Sequence, residues 1–150
     1  MSMGRGNKLP HYAPLWVDPS KETYFVTINC EPRGANQLAK PEVAAFIWET
    51  VRYRRDRGLW NYHVILLMPD HLHALLNFPP SDTPFRSLIS KWKEWLAKQL
   101  GIRWQDDFFE HRLRSDESLN QKVTYILENP IRKGLVTKPE DWPFVLFNER

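Results

Sequence analysis

Residues 61–78 read NYHVILLMPDHLHALLNF. Two apolar stretches, Asn61–Met68 and His71–Phe78, meet at Met68-Pro69-Asp70. Each has the length of a buried strand and falls short of a helix. Pro69 presets a turn dihedral, and Asp70 can bond its own backbone, so the pair of stretches predicts a β-hairpin. Alternate side chains of a strand share a face. Leu72, Ala74 and Leu76 therefore point one way, and His71 and His73 point the other.

Working outward, Tyr24–Asn29 (YFVTIN) is rich in β-branched and aromatic residues and reads as a first strand. A helix is expected from Pro41, with Val43, Ile47 and Val51 at spacing four and Gly58 as its stop. Downstream, Phe85–Leu100 is a second amphipathic helix, with Leu88, Trp92, Trp95 and Leu96 on its apolar side and Gly101 beyond its end. Asp107–Arg114 (DFFEHRLR) is a fourth strand. Asp116–Glu128 is a third helix closed by Pro130, which disfavours helical geometry at Asn129. The order spells βαββαβ plus one helix. The fold class is α+β: a ferredoxin-like antiparallel sheet with two helices on one face and an extra C-terminal helix carrying Tyr125. The second face is left for a site and for that helix. Residues 24–150 form the domain. Residues 1–23 form an amino-terminal arm, because Met1–Lys21 carries three prolines and no periodicity.

At 150 residues the chain can bury a real core, and 42% hydrophobic and 13% aromatic content excludes a disordered protein. Cys30 is the sole cysteine, which rules out an intrachain disulfide and fits a reducing cytoplasm. Met1–Tyr12 is polar and lacks a signal-peptide core, and no apolar run, Val64–Met68 included, is long enough to span a bilayer. The net charge is +3. Basic residues gather as Arg52, Arg54, Arg55 and Arg57, then as Lys91, Lys93 and Lys98, then as Arg103, Arg112, Arg114, Arg132 and Lys133. Acidic residues interleave with the last group, so no continuous basic stripe exists, and solvated faces explain these charges as readily as a polyanion does.

Two imidazoles projecting from one strand can hold a divalent ion, although a bare H-x-H also suits the polar edge of a hairpin. Two ligands are too few for a tight site, so a third belongs elsewhere. H-E-x-x-H, a second H-x-H and C-x-x-C are all missing, against a zinc protease or a deaminase. His63 lies in a buried strand and reads as a core residue, while the face of His111 is ambiguous. On the third helix, Leu119, Val123, Ile126 and Leu127 form one apolar stripe. At about 100° per residue, Tyr125 falls about 145° from the centre of that stripe and Asn129 about 105° from it. A core-filling tyrosine belongs on the stripe. Gln121, Tyr125 and Asn129 instead form a polar stripe at spacing four, and a plain exposed tyrosine is the competing reading.

These residues carry a resemblance. Met68-Pro69-Asp70-His71-Leu72-His73 resembles the MP[N/D]HxH signature of the HUH single-tyrosine transposases. The stretch from Tyr125 through Asn129, Pro130, Ile131, Arg132, Lys133 and Gly134 to Val136 resembles the YI..NPvraglv segment of their REP-associated branch. Trp104–Phe109 and Asp141-Trp142-Pro143 are similar to it as well, and the likeness runs from about Tyr24 onward in matching order. It implies a ferredoxin-like fold, Mg²⁺ or Mn²⁺ as cofactor, and cutting of single-stranded DNA beside imperfect, REP-like hairpins. His71 and His73 match two metal ligands of the family and Asn129 the third. Asp70 departs from the Asn of many relatives.

By the same resemblance, Tyr125 is the nucleophile and forms a 5′-phosphotyrosine, with Arg112, Arg114, Arg132 and Lys133 expected to track the DNA backbone. Whether Tyr125 acts within its own subunit or across a homodimer stays open, and no general base is identified. Two competing readings are a non-catalytic, domesticated protein that binds DNA or RNA hairpins, and a ferredoxin-like small-molecule enzyme or metal regulator.

Overall fold

The computed structural model describes residues 23–114 and 118–149. The expected arm, save Thr23, lies outside the described residues, as do Asp116 and Glu117 of the expected third helix.

Five strands form one antiparallel sheet: β1 (Thr23–Asn29), β2 (Asn61–Leu67), β3 (His71–Asn77), β4 (Phe109–Arg112) and β5 (Val145–Phe147). Their order across the sheet is β4-β1-β3-β2-β5. The first four follow the ferredoxin-like arrangement expected of the βαββαβ chain, and β5 is added outside β2. The hairpin joining β2 to β3 is closed by the Met68 amide donating to the His71 carbonyl at 2.8 Å. Helices α1 (Pro41–Asp56) and α2 (Phe85–Leu100) follow the sequence pattern, and Gly101 ends α2 in the left-handed conformation at φ 72°.

Each sheet face has its own core. Leu72, Ala74 and Leu76 of β3 join Val26, Ile28, Ile47, Val51, Trp60 and Trp92 in the larger one, beneath α1 and α2. The smaller one lies on the opposite face, where Val64, Leu66 and Leu75 pack with Val123, Ile126 and Leu127 of α3 (Leu119–Leu127). The register of β2 shifts between Tyr62 and Val64. This bulge lets Tyr62, Ile65 and Leu67 face the larger core while Val64 and Leu66 face the smaller one. His63 sits at the shift and is buried, as its strand position led us to expect.

Three expectations need correction. In α2 the buried stripe is Ile89, Trp92, Lys93 and Leu96, whereas Trp95 is 43% exposed. Lys93 can be buried because its ammonium donates to the carbonyls of Gln105 (3.0 Å) and Asp107 (3.2 Å). It is therefore not one of a row of solvated surface charges. Second, Pro130 does not remove Asn129 from helical geometry. Asn129 opens a further short helix, α4 (Asn129–Arg132), and Pro130 lies in its first turn, where amides have no intrahelical acceptor to lose. Third, β4 is shorter than expected, and β5 was not anticipated at all.

Candidate metal and tyrosine site

The pleat of β3 places His71 and His73 together, on the face away from the larger core, with ring centroids 4.9 Å apart. Both are nearly enclosed, at 6% and 7% exposure. Burial is the main cause that lowers the basicity of each ring. His73 is brought down to about 3 by burial, then by the neighbouring His71 and by Arg132. For His71 burial also dominates, opposed by Asp70 and aided by Arg33 and Lys133. The pair is thus neutral at ordinary pH, with lone pairs free for a cation.

Their hydrogen bonds orient those lone pairs. His71 Nδ1 lies 2.8 Å from Asp70 Oδ1. An ionised carboxylate only accepts, so Nδ1 carries the proton and Nε2 the lone pair. Asp70 is ionised in spite of its partial burial. Burial opposes its charge, but hydrogen bonds from Arg33, His71 and the Gly34 amide outweigh that and hold its carboxyl well below the usual range. Asp70 therefore does more than shape the turn: it ties the 33–34 loop to a candidate ligand. His73 Nδ1 lies 3.0 Å from Thr27 Oγ1, its cross-strand neighbour on β1. When Nδ1–H donates to that hydroxyl, His73 also presents Nε2.

These donors fit a divalent ion: two neutral imidazoles with their second nitrogens engaged behind them. Among the described residues no three His, Cys, Asp or Glu side chains gather to hold a metal. Asn129, the third ligand that the resemblance implies, is buried at the head of α4. The thiol of Cys30 is no candidate, because burial first and Asp70 second push it up to about 12.

Tyr125 rises from α3 and is 49% exposed. Its link to the histidines runs through Phe25, whose ring stacks on His73 at 5.3 Å and meets Tyr125 edge-on at 6.1 Å. Two cations attend the phenol: Arg132 lies 4.2 Å from its ring centroid and Lys122 5.6 Å. The charges of Arg132 and Lys133 act on His73 and His71 respectively, so the end of α4 lies beside the pair.

The structure thus brings together His71, His73, Tyr125, Arg132 and Lys133, with Asn129 heading the same short helix. Arg112 and Arg114 are not drawn into this group. Arg112 is the cross-strand partner of Tyr24, whose side chain enters the larger core, so it lies on the helix-covered face. Arg114 is exposed beyond the end of β4. The register settles the face of His111: it opposes Phe25 and shares the site's side of the sheet, next to exposed Phe109 opposite Thr27. Thr27, Phe25 and Lys122 escaped the sequence reading. Phe25 and Thr27 alternate with the buried Tyr24, Val26 and Ile28, and that period was the one available signal.

No family model matches the chain. A REP-associated tyrosine transposase of Escherichia coli (strain K12) is 29% identical over 128 residues, covering 84% of this chain and 76% of its own. The solved structure of a REP-associated tyrosine transposase bound to a REP hairpin superposes with a TM-score of 0.72 and 24% identity, covering 94% of this chain and 82% of its own. At that identity the superposition establishes the shared fold.

Proposed function

We propose that this chain, which is similar to a REP-associated tyrosine transposase of Escherichia coli, nicks and rejoins single-stranded DNA at hairpins. One observation carries the reading: His73, one of a neutral histidine pair, and an exposed tyrosine flank a single aromatic ring, Phe25. A tyrosine serving only the core would lie among Val123, Ile126 and Leu127, and this one does not.

In this reading the Tyr125 oxygen bonds to the scissile phosphorus as the phenol gives up its proton. The bond from phosphorus to the 3′ oxygen breaks, that oxygen leaves as a hydroxyl after taking up a proton, and a 5′-phosphotyrosine remains. The linkage is still a phosphodiester, so a second 3′-hydroxyl can reverse the step and join strands. His71, His73 and Asn129 would hold Mg²⁺ or Mn²⁺, which supplies Lewis acidity at a phosphate oxygen. Lys133 adds positive charge where a DNA backbone would pass, and exposed Phe109 and His111 offer rings to unpaired bases.

The test is incubation with a library of single-stranded hairpins and Mn²⁺, read on denaturing gels. Wild-type protein should become covalently attached to DNA and Tyr125→Phe should not. Hairpin binding with no adduct under any condition would replace this reading with that of a non-catalytic hairpin-binding protein.

A further inference from the structure

Arg132 is tied to Tyr125 in two independent ways. Its Nη2 donates to the Tyr125 main-chain carbonyl at 2.8 Å, and its guanidinium carbon lies 4.2 Å from the centroid of the Tyr125 ring. A third contact, Nη1 at 3.8 Å from the Glu128 carboxylate, steers the same group from one turn away. Left alone, a half-exposed arginine keeps its rotamer freedom, and ordering it has an entropic cost. Here two of the three contacts go to one residue, Tyr125: one to its backbone and one to its ring.

We propose that Arg132 is a positioning residue for Tyr125, clamping the phenol between its own guanidinium and the Phe25 ring. The inference rests on the proposed role of Tyr125 as nucleophile. It differs from the role that the sequence suggests for Arg132, which is contact with the DNA backbone. A half-exposed tyrosine has two free side-chain dihedrals, and only some settings bring its oxygen toward the His71–His73 side. The planar guanidinium covers the ring while its edge bonds the carbonyl. A lysine ammonium has no plane with which to do both. Lys122 lies 5.3 Å from the Phe25 ring and 5.6 Å from the Tyr125 ring, so it attends both rings without making the carbonyl contact.

The clamp exists in the free protein, so its first test needs neither DNA nor metal. In NMR spectra of labelled protein, the δ-methylene and Nε–H protons of Arg132 should be shifted upfield by the Tyr125 ring. Tyr125→Leu should abolish that shift and Tyr125→Phe should keep it. Arg132 protons at ordinary positions in the wild type would overturn the proposal.

The second test is single-turnover adduct formation at saturating hairpin. Arg132→Ala and Arg132→Lys should both slow it, by up to about 100-fold, as expected for a misplaced reacting group. Hairpin affinity and its salt dependence should persist in Arg132→Lys. If Arg132→Lys restores the rate, or if Arg132→Ala weakens binding and lowers the salt slope by about one with no change in saturating rate, Arg132 is a phosphate contact and the clamp is refuted. Should the wild type form no adduct at all, the nucleophile assignment fails, and the NMR shift alone decides the clamp.

Discussion

The two faces of the sheet are built from the same strands and put to different uses. On one face, alternate residues of β1 and β3 meet α1 and α2 in a continuous core with Trp60 and Trp92 at its centre. Even the polar atoms there are enclosed: the Trp92 indole donates to Thr50, and Thr50 donates to the Ile47 carbonyl. On the other face α3 packs on a smaller cluster, to which β3 contributes Leu75. His73 and His71, two and four residues before Leu75, continue the same row. The contrast shows how one strand can serve stability and chemistry at once: even-numbered β3 residues anchor it in the larger core, and on the other face Leu75 packs under α3 while His71 and His73 form the site.

The contrast can be broken from the stability side first. Trp92→Ala should cost about 3–5 kcal/mol in denaturant unfolding, the usual price of truncating a large buried aromatic. The fraction that stays folded should still form covalent adduct. Loss of chemistry beyond the loss of folded protein would mean that the faces are coupled more tightly than their separate cores suggest. Ile126→Ala, on the smaller core, should cost about 2–3 kcal/mol. Hydrogen exchange should then show α3 losing protection while α1 and α2 keep theirs. Simultaneous loss in all three would erase the distinction between the faces.

A smaller effect sharpens the comparison at the site. Asp70→Ala removes the acceptor behind His71 and should weaken Mn²⁺ binding by about 10–100-fold, the range for lost outer partners of ligating histidines. Unchanged affinity, read by calorimetry, would mean that Asp70 serves only the turn and Arg33. The smallest effect concerns pH. His73 is lowered in the folded protein to about 3, chiefly by burial, whereas an unfolded histidine titrates near 6.5. Below that value the unfolded chain takes up a proton that folded His73 refuses, so stability is full above it and declines as pH falls. Melting curves of metal-free protein from roughly pH 8 to pH 5 should show this decline, and His73→Gln should flatten it. An identical decline in His73→Gln would assign the effect to other groups.

Much of this contrast was legible in the sequence, because period and turn chemistry are local. The Pro69-Asp70 turn, the alternation in β3 and the stripe of Val123, Ile126 and Leu127 located the hairpin, the histidine pair and an off-stripe tyrosine. What escaped needs tertiary knowledge. Thr27 backs His73 only because the register of β1 on β3 sets them opposite each other. Lys93 read as a surface charge because its carbonyl partners lie in a loop twelve and fourteen residues on. Pro130 read as a stop, although a proline in a first turn starts a helix as well as it ends one. Arg112 read as one of a basic group, yet pairing with Tyr24 turns it toward the other face. Val145–Phe147 is too short to show any period, and pairing with β2 is what makes it a strand.

The measurement that bears most directly on the account is mass spectrometry of the protein after incubation with hairpin DNA and Mn²⁺ and digestion of protein and DNA. The account predicts a nucleotide joined through its 5′ phosphate to the peptide containing Tyr125, and its absence when His71 and His73 are both replaced by alanine. A nucleotide on any other residue, or undiminished modification of Tyr125 in the double variant, would contradict it.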